Sequence, residues 1–344
     1  MAERRSGAGA GLRSRFRETD QRRAGIVGTV VRCGTVGGAG SSRIGAVRAA
    51  LVVAPLLLSL SGCEPPDRPP AFTAGLPPAA VSYLAPDRIS TFRLEEGVTY
   101  RSVRSGARPW SLHLLEVDAT RCELGFRVVR AEDREGRTPV SELAHRSEPG
   151  VIAAVNGDFF TPENLPLGPE ISGGTVRGRS SRSVFAWRPG QLPTVGPAVW
   201  SEGTIAIGSW TVSVDAPDRD IQVVAGFPAL LESGVAVGDL QQSARPDFAA
   251  ERDPRSAVGF DRETRRVWLV VVEGRREGVS EGMTLPELAG LFQALGVDDA
   301  INLDGGGSSV MVIRREPVSR PSDPTGERPV VNALVLREDP LYCS

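Results

Sequence analysis

The sequence predicts an α+β fold: a single domain with a mixed, mainly antiparallel β-sheet core and a few flanking helices. Three observations carry this. Short apolar segments, many alternating with period two, follow one another along most of the chain, the pattern of half-buried strands. Only two stretches carry convincing helix signals. Strand and helix patterns do not alternate regularly, which argues against a doubly wound parallel sheet. With 344 residues, 40% hydrophobic and 24% charged, the chain suits one large or two small cores.

Residues 1–62 stand outside that domain. Arg43 and Arg48 precede an apolar run from Ala49 to Leu60, a positive segment and a hydrophobic one too short to span a bilayer comfortably. The run enters Leu60-Ser61-Gly62-Cys63, which resembles a bacterial lipobox and implies export, acylation of Cys63 and a membrane anchor, at the periplasmic or cell surface. A plain secretory signal with an incidental cysteine is the alternative. Residues 1–40 are Arg- and Gly-rich beyond what such a leader needs, so a natural start downstream of Met1 is an expectation. Residues 63–88, with seven prolines from Pro65 to Pro86, are expected to form a stiff extended tether. The folded domain is expected over 89–338 and a tail over 339–344. Export exposes Cys122 and Cys343 to oxidising conditions, where a disulfide and two free thiols are both open.

Strands are expected over 97–100, 111–117 and 124–129, followed by a short helix from Thr138-Pro139 to about Pro149. The two histidines, His113 on a strand and His145 on that helix, read as structural or solvated. Residues 151–155 form a continuous apolar run suited to a buried strand. It stops at Asn156-Gly157-Asp158-Phe159-Phe160. An amide, a carboxylate and two rings at a sheet rim suit the gripping of a sugar; a turn followed by core phenylalanines is the plainer reading. Further strands are expected over 183–187, 204–207, 211–214 and 267–272. Arg255 enters a strand beside small residues, where a rigid guanidinium would offer paired donors to a phosphate. Thr284-Leu285-Pro286-Glu287 is a capping box, and Leu285, Leu288, Ala289, Phe292 and Leu295 make one apolar stripe. A last strand is expected over 330–336.

Between two apolar runs lies Asp304-Gly305-Gly306-Gly307-Ser308-Ser309. Asp-Gly is a hairpin signal, but a tight turn needs at most two glycines, and each extra one costs chain entropy. Three suggest that something approaches the backbone more closely than a Cβ permits. Bare amides with two hydroxyls could form an anion nest, faced by Asp304 at the strand end. The chain has no lysine, no GxxxxGK[ST] and no GxGxxG, so known nucleotide loops do not fit.

This stretch resembles the signature of the phosphodiester glycosidase family. Asn156-Gly157-Asp158-Phe159-Phe160 is similar to that family's Asn-Gly-x-Phe-Phe, and Pro254-Arg255-Ser256-Ala257-Val258-Gly259 to its Pro-Arg-(Thr/Ser)-Ala-x-Gly. Glu273-Gly274-Arg275 is close to its Asp-Gly-Arg, and residues 320–328 to its closing loop. Gly226-Phe227 departs from the Gly-Gly of its Gly-Gly-Pro-Leu-Leu segment. The resemblance covers about 89–337. It implies a hydrolase of sugar-1-phosphodiesters in envelope or extracellular glycans, with Asp304 and Asp158 catalytic. It implies substrate contacts at Asn156, Arg255, Gly305, Gly306, Gly307, Ser308, Ser309 and Arg320. Arg328 ranks second for phosphate, Asn332 reads as structural, and Glu170 is either a substrate contact or a solvated glutamate. A non-catalytic glycan-binding lipoprotein on the same scaffold is the rival.

Composition agrees with that chemistry. Residues 1–62 hold ten arginines and three acids, leaving 30 positive and 39 acidic residues in the remainder. A remainder at −9 makes no general partner for nucleic acid, so an anionic substrate needs locally placed arginines. HExxH, zinc-spaced cysteines and GxSxG are absent. Carboxylates, arginine and hydroxyls remain, and they fit attack at a sugar carbon with a phosphate leaving group. Asp158 and Asp304 could instead hold a divalent cation.

Overall fold

The computed structural model describes residues 75–132, 136–237, 240 and 246–343. The leader, Cys63 and most of the expected tether lie outside the described residues. Every ladder described is antiparallel, so the mixed sheet is in fact antiparallel throughout these residues. The largest sheet has eight strands, in the order Pro86–Glu95, Val98–Ser105, Trp110–Asp118, Arg266–Val272, Arg255–Asp261, Asp299–Asn302, Ala229–Glu232 and Val235–Ala236. A seven-stranded sheet is built around Ser183–Trp187 and Gln222–Gly226, with Glu170–Ser172 beside the latter. A five-stranded sheet runs Glu316–Pro317, Met311–Ile313, Val151–Asn156, Asn332–Glu338 and Leu124–Arg130.

The three sheets share one core. Val98, Leu115 and Val258 of the first pack with Phe185 and Trp187 of the second and Phe126, Val155 and Leu334 of the third. The helix Leu285–Ala294 covers the opposite face of the large sheet, setting Leu285, Leu288, Leu291 and Phe292 against Leu112, Trp268 and Val270. Strands 255–261 and 266–272 are therefore buried at every position. Each fully buried leucine or phenylalanine contributes about 1.5–3 kcal/mol.

That helix begins as its sequence requires. Thr284 Oγ1 accepts from the Glu287 N–H at 3.2 Å, and Glu287 Oε2 accepts from the Thr284 N–H at 3.0 Å. Loss of such a cap costs about 1 kcal/mol. Thr284→Ala is expected to lower the unfolding free energy by that amount, seen as a lower urea midpoint at an unchanged m-value, and an unmoved midpoint would contradict the cap's role. The earlier helix is shorter than expected, Val140–Arg146. Thr138 pairs with Val330 in an isolated bridge instead of capping it, and Pro139 holds the cap position without a side-chain bond.

Two further expectations need correction. The end of the expected tether is not extended: Pro78–Leu84 is helical, Ala80 and Leu84 are buried, and Tyr83 Oη donates to Glu287 O at 2.7 Å. Leu76, Ala80 and Leu84 recur every fourth residue and join the core, a stripe the prolines obscure. The runs flanking the triple glycine do not form a hairpin either. Asp299–Asn302 lies in the eight-stranded sheet and Met311–Ile313 in the five-stranded one. The loop between them is a crossing from sheet to sheet. Cys122 and Cys343 form a disulfide, which fixes the C-terminal turn Pro340–Cys343 to the start of strand Leu124–Arg130. Among the described residues no helix is long and apolar enough to cross a membrane.

Candidate active site

The crossing loop brings two strand ends together. Asp304 N donates to Gly157 O at 3.0 Å, joining the end of Asp299–Asn302 to the end of Val151–Asn156. Asn156 locks this junction. Its Nδ2 donates to Asp304 O at 2.6 Å, and its Oδ1 accepts from Ser256 Oγ at 2.6 Å and Val310 N at 3.3 Å. The amide is fully buried and occupied, so Asn156 is placed as a brace and not as the expected substrate contact.

Asp158 and Asp304 consequently face one region. Asp158 N donates to Asn332 Oδ1 at 3.0 Å, and Asn332 Nδ2 donates to Glu170 Oε2 at 2.6 Å. Glu170 is neither solvated nor open to a ligand. It is fully buried between Arg130 at 3.0 Å and Arg177 at 3.2 Å, and through Asn332 it positions the backbone of Asp158. On the side chain, Asp158 Oδ2 accepts from Gly168 N at 2.6 Å. Its Oδ1 stands 3.7 Å from Arg182 Nη1, and both atoms are buried without a hydrogen-bond partner among the described residues. Burial pushes the Asp158 carboxyl up to about 7, against the lowering pull of the Gly168 N–H and of Arg182, with the negative charge of Asp304 adding to the rise. Part of Asp304 reaches solvent, yet its carboxylate lies deep enough that burial raises it to about 6, opposed by Ser308, the Gly305 N–H, Arg328 and Arg182. Desolvation disfavours the charged form, and both acids show it.

The glycine loop departs from the anion nest. Residues Gly306–Ser308 form a 3₁₀ turn. The amides of Gly305, Gly306, Ser308 and Ser309 are taken by Asp304 Oδ1, Pro254 O, Gly305 O and Gly306 O. What approaches the backbone is arginine. A Cβ on Gly306, whose φ is +61°, would lie 2.9 Å from Arg275 Nη2, and one on Gly307 only 2.3 Å from Arg328 Nη2. Arg328 is itself held by Asp323 in a two-point pair at 2.9 and 3.1 Å. The hydroxyls of Ser308 and Ser309 are buried and make no directed bond among the described residues, although Ser308 lies close enough to favour the ionised Asp304. Those two oxygens are what the loop leaves for a ligand.

Arg255 also turns away from its expected role. Its Nε donates to Met283 O at 2.9 Å, and its Nη2 to Phe248 O at 2.9 Å and Glu251 O at 2.8 Å. The guanidinium ties down the residues around the Pro246–Ala250 helix. Arg320 is exposed, and its backbone N–H donates to Glu273 Oε1 at 2.7 Å. His113 is buried between Tyr100 Oη and Glu273 Oε1, as a structural histidine should be.

Arg328 acts on Asp304, whereas the cation that acts on both acids is Arg182, which precedes strand Ser183–Trp187. Its charge acts on both Asp158 and Asp304, and burial lowers its own pKa. Its guanidinium lies over the rings of Phe159 at 5.4 Å and Phe227 at 5.0 Å, contacts favourable when desolvated. A cavity of about 310 Å³ lined by Arg182, Phe227 and Pro228 opens beside it. Nothing in the spacing of Arg179-Ser180-Ser181-Arg182 distinguishes this arginine from its neighbours. Phe227, the departure from Gly-Gly, supplies one of its two rings.

The arginine charge and the occupied oxygens of this donor set disfavour a divalent cation. Such ions take six or more oxygen ligands. Here Asp158 Oδ2 and Asp304 Oδ1 already accept backbone amides, and a guanidinium lies beside the carboxylates. The one group of three candidate ligands among the described residues contains the disulfide cysteines.

A family model described as phosphodiester glycosidase matches residues 149–337. The chain is 32% identical over 200 residues to the N-acetylglucosamine-1-phosphodiester alpha-N-acetylglucosaminidase of Bos taurus, covering 54% of this chain and 35% of that protein. It is 29% identical over 187 residues to the Mus musculus protein of the same name, covering 51% and 34%. The chain thus spans about a third of the length of these relatives. Among solved structures it is similar to the zebrafish catalytic domain of that name, auto-inhibited by its pro-peptide, with TM-score 0.51, 25% identity and coverage of 73% and 82%. A hypothetical protein from Synechocystis shares the fold, with TM-score 0.58, 18% identity and coverage of 73% and 64%.

Proposed function

Because this chain belongs to the phosphodiester glycosidase family, we propose that it hydrolyses the bond between a sugar and phosphate in glycosyl-1-phosphodiesters. The observation that carries this reading is the meeting of two buried, pKa-raised carboxylates with an arginine whose Nη1 has no hydrogen-bond partner. A phosphodiester is a good leaving group, so stabilising its charge matters more than strong acid help. Arg182 supplies that charge, with Ser308 and Ser309 as neutral donors. Asp304, with the lower pKa, is the ionised partner near neutral pH and acts as nucleophile or as base toward water. Asp158 keeps its proton longer and shields the departing phosphate oxygen with it. Phe159 and Phe227 hold Arg182 and line the approach.

The substrate class is an envelope or extracellular glycan bearing sugar-1-phosphodiesters, met by an exported protein anchored through acylated Cys63. The lipobox-like Leu60-Ser61-Gly62-Cys63 supports the anchor, and the Cys122–Cys343 disulfide supports an oxidising compartment. The test is release of free sugar by the purified full-length protein from a panel of sugar-1-phosphodiesters, with and without chelator. Turnover that survives chelation is expected. Binding without turnover across the panel would favour the glycan-binding rival. Arg182→Ala is expected to lower kcat about 10²-fold, and Arg182→Lys to recover only part, since an ammonium lacks the planar fork. An unchanged kcat in Arg182→Ala would remove the arginine from the chemistry.

A further inference from the structure

Behind Glu170, away from the acid pair, lies a second cavity of about 550 Å³. Six arginines line it: Arg127, Arg130, Arg146, Arg177, Arg219 and Arg337. Among the described residues the acids in its wall are Glu132 and Glu148, and Glu148 is paired with Arg315 at 2.9 Å. This concentration stands out on a region carrying 30 positive and 39 acidic residues after residue 62. Like charges brought together repel, so such a cluster is costly unless something neutralises it. Arg130 and Arg177 are balanced by Glu170. Arg127 and Arg219 have no acidic partner among the described residues, and Arg127 offers only a long contact to Tyr342 Oη at 3.3 Å. Arg146 is paired with Glu142, and Arg337 Nη2 with Asp339 Oδ2 at 3.6 Å and Pro149 O at 3.0 Å, so Arg127 and Arg219 are the charges of this wall left without an acid among the described residues.

We propose that this cavity binds a phosphate group. Planar guanidinium forks match phosphate oxygens two at a time, and the volume admits a phosphate with an attached sugar. Its back wall is the Arg130–Glu170–Arg177 cluster, whose Glu170 also holds Asn332 and through it Asp158. The site therefore lies one hydrogen-bonded layer behind the acid pair. Two sources share the chemistry: free phosphate, or a further phosphodiester unit of a polymeric substrate. Only the second rests on the proposed activity.

Calorimetric titration of the full-length protein with inorganic phosphate and tripolyphosphate tests the site without any turnover. Saturable, salt-sensitive binding is expected, weakened at least tenfold in the double variant Arg127→Ala/Arg219→Ala and only partly recovered in Arg127→Lys/Arg219→Lys, which keeps the charge without the planar fork. Absence of saturable binding by the wild type, or equal binding by the alanine variant, overturns the proposal. Neither arginine touches Glu170, so hydrolysis of a substrate with one phosphate is expected at the wild-type rate in the alanine variant. A polymer of repeating phosphodiesters with a lower KM than the single unit in the wild type alone identifies the substrate's own next phosphate. Equal KM values with the binding difference intact identify free phosphate. Failure of all turnover would sink the activity and leave the calorimetry to decide the anion site.

Discussion

Asp304→Asn is expected to lower turnover of a sugar-1-phosphodiester by about 10³-fold or more, with substrate binding retained. The substitution keeps the shape of the side chain and one oxygen. Asp304 Oδ1 accepts the Gly305 N–H at 2.9 Å, and an asparagine oxygen can do the same, so the loop should hold. The junction with the neighbouring strand uses only Asp304 backbone atoms, through Gly157 O and Asn156 Nδ2. What disappears is the negative charge proposed to attack the anomeric carbon or to activate water. Single-turnover measurement separates this loss from weakened binding. Unchanged turnover would show that the chemistry lies elsewhere, while a matched loss of binding and of rate would point to a collapsed loop.

How much of this was legible depends on what each signal reports. Burial periodicity is local, so strands 183–187 and 204–207 and the stripe on Leu285–Ala294 stand where the sequence puts them. The triple glycine rightly signals close approach to backbone, but not by what. Arg275 and Arg328 fill the space expected for a ligand, because in a chain without lysine a long guanidinium can come from any part of the fold. Arg255 shows the same limit: a motif fixes which residue enters the strand, whereas the carbonyls of Phe248, Glu251 and Met283 decide where its guanidinium points. Arg182 reaches the acids only because the fold brings the residue before Ser183–Trp187 to Asp158 and Phe159, a meeting of distant segments with no local signature. Likewise Glu170 looks solvated in isolation, and its two arginine partners lie 40 residues before it and seven after.

Asp158→Asn should make the protein relatively more stable as pH rises. The folded state holds the Asp158 carboxyl at about 7, against an ordinary value of 3.8. Between those values the folded protein binds the proton more tightly than the unfolded chain, so stability falls with rising pH across that window and is lowest above it. A shift of about three units corresponds to at most about 4 kcal/mol. An amide never ionises, so the variant escapes this loss. The countercharge that Asp158 offers Arg182 at 3.7 Å exists only when the carboxyl is ionised, and its pull is already contained in the value of about 7, so it adds no separate penalty. The informative quantity is therefore the change between two pH values: relative to the wild type, the variant should gain roughly 2–4 kcal/mol from pH 5 to pH 8 in urea unfolding. The same substitution should remove the higher-pH limb of the kcat/KM profile and leave the lower limb, set by the carboxyl of Asp304 at about 6. Parallel stability curves for the two proteins would mean that Asp158 is ionised at neutral pH, and its part as the proton-holding acid would fall with them.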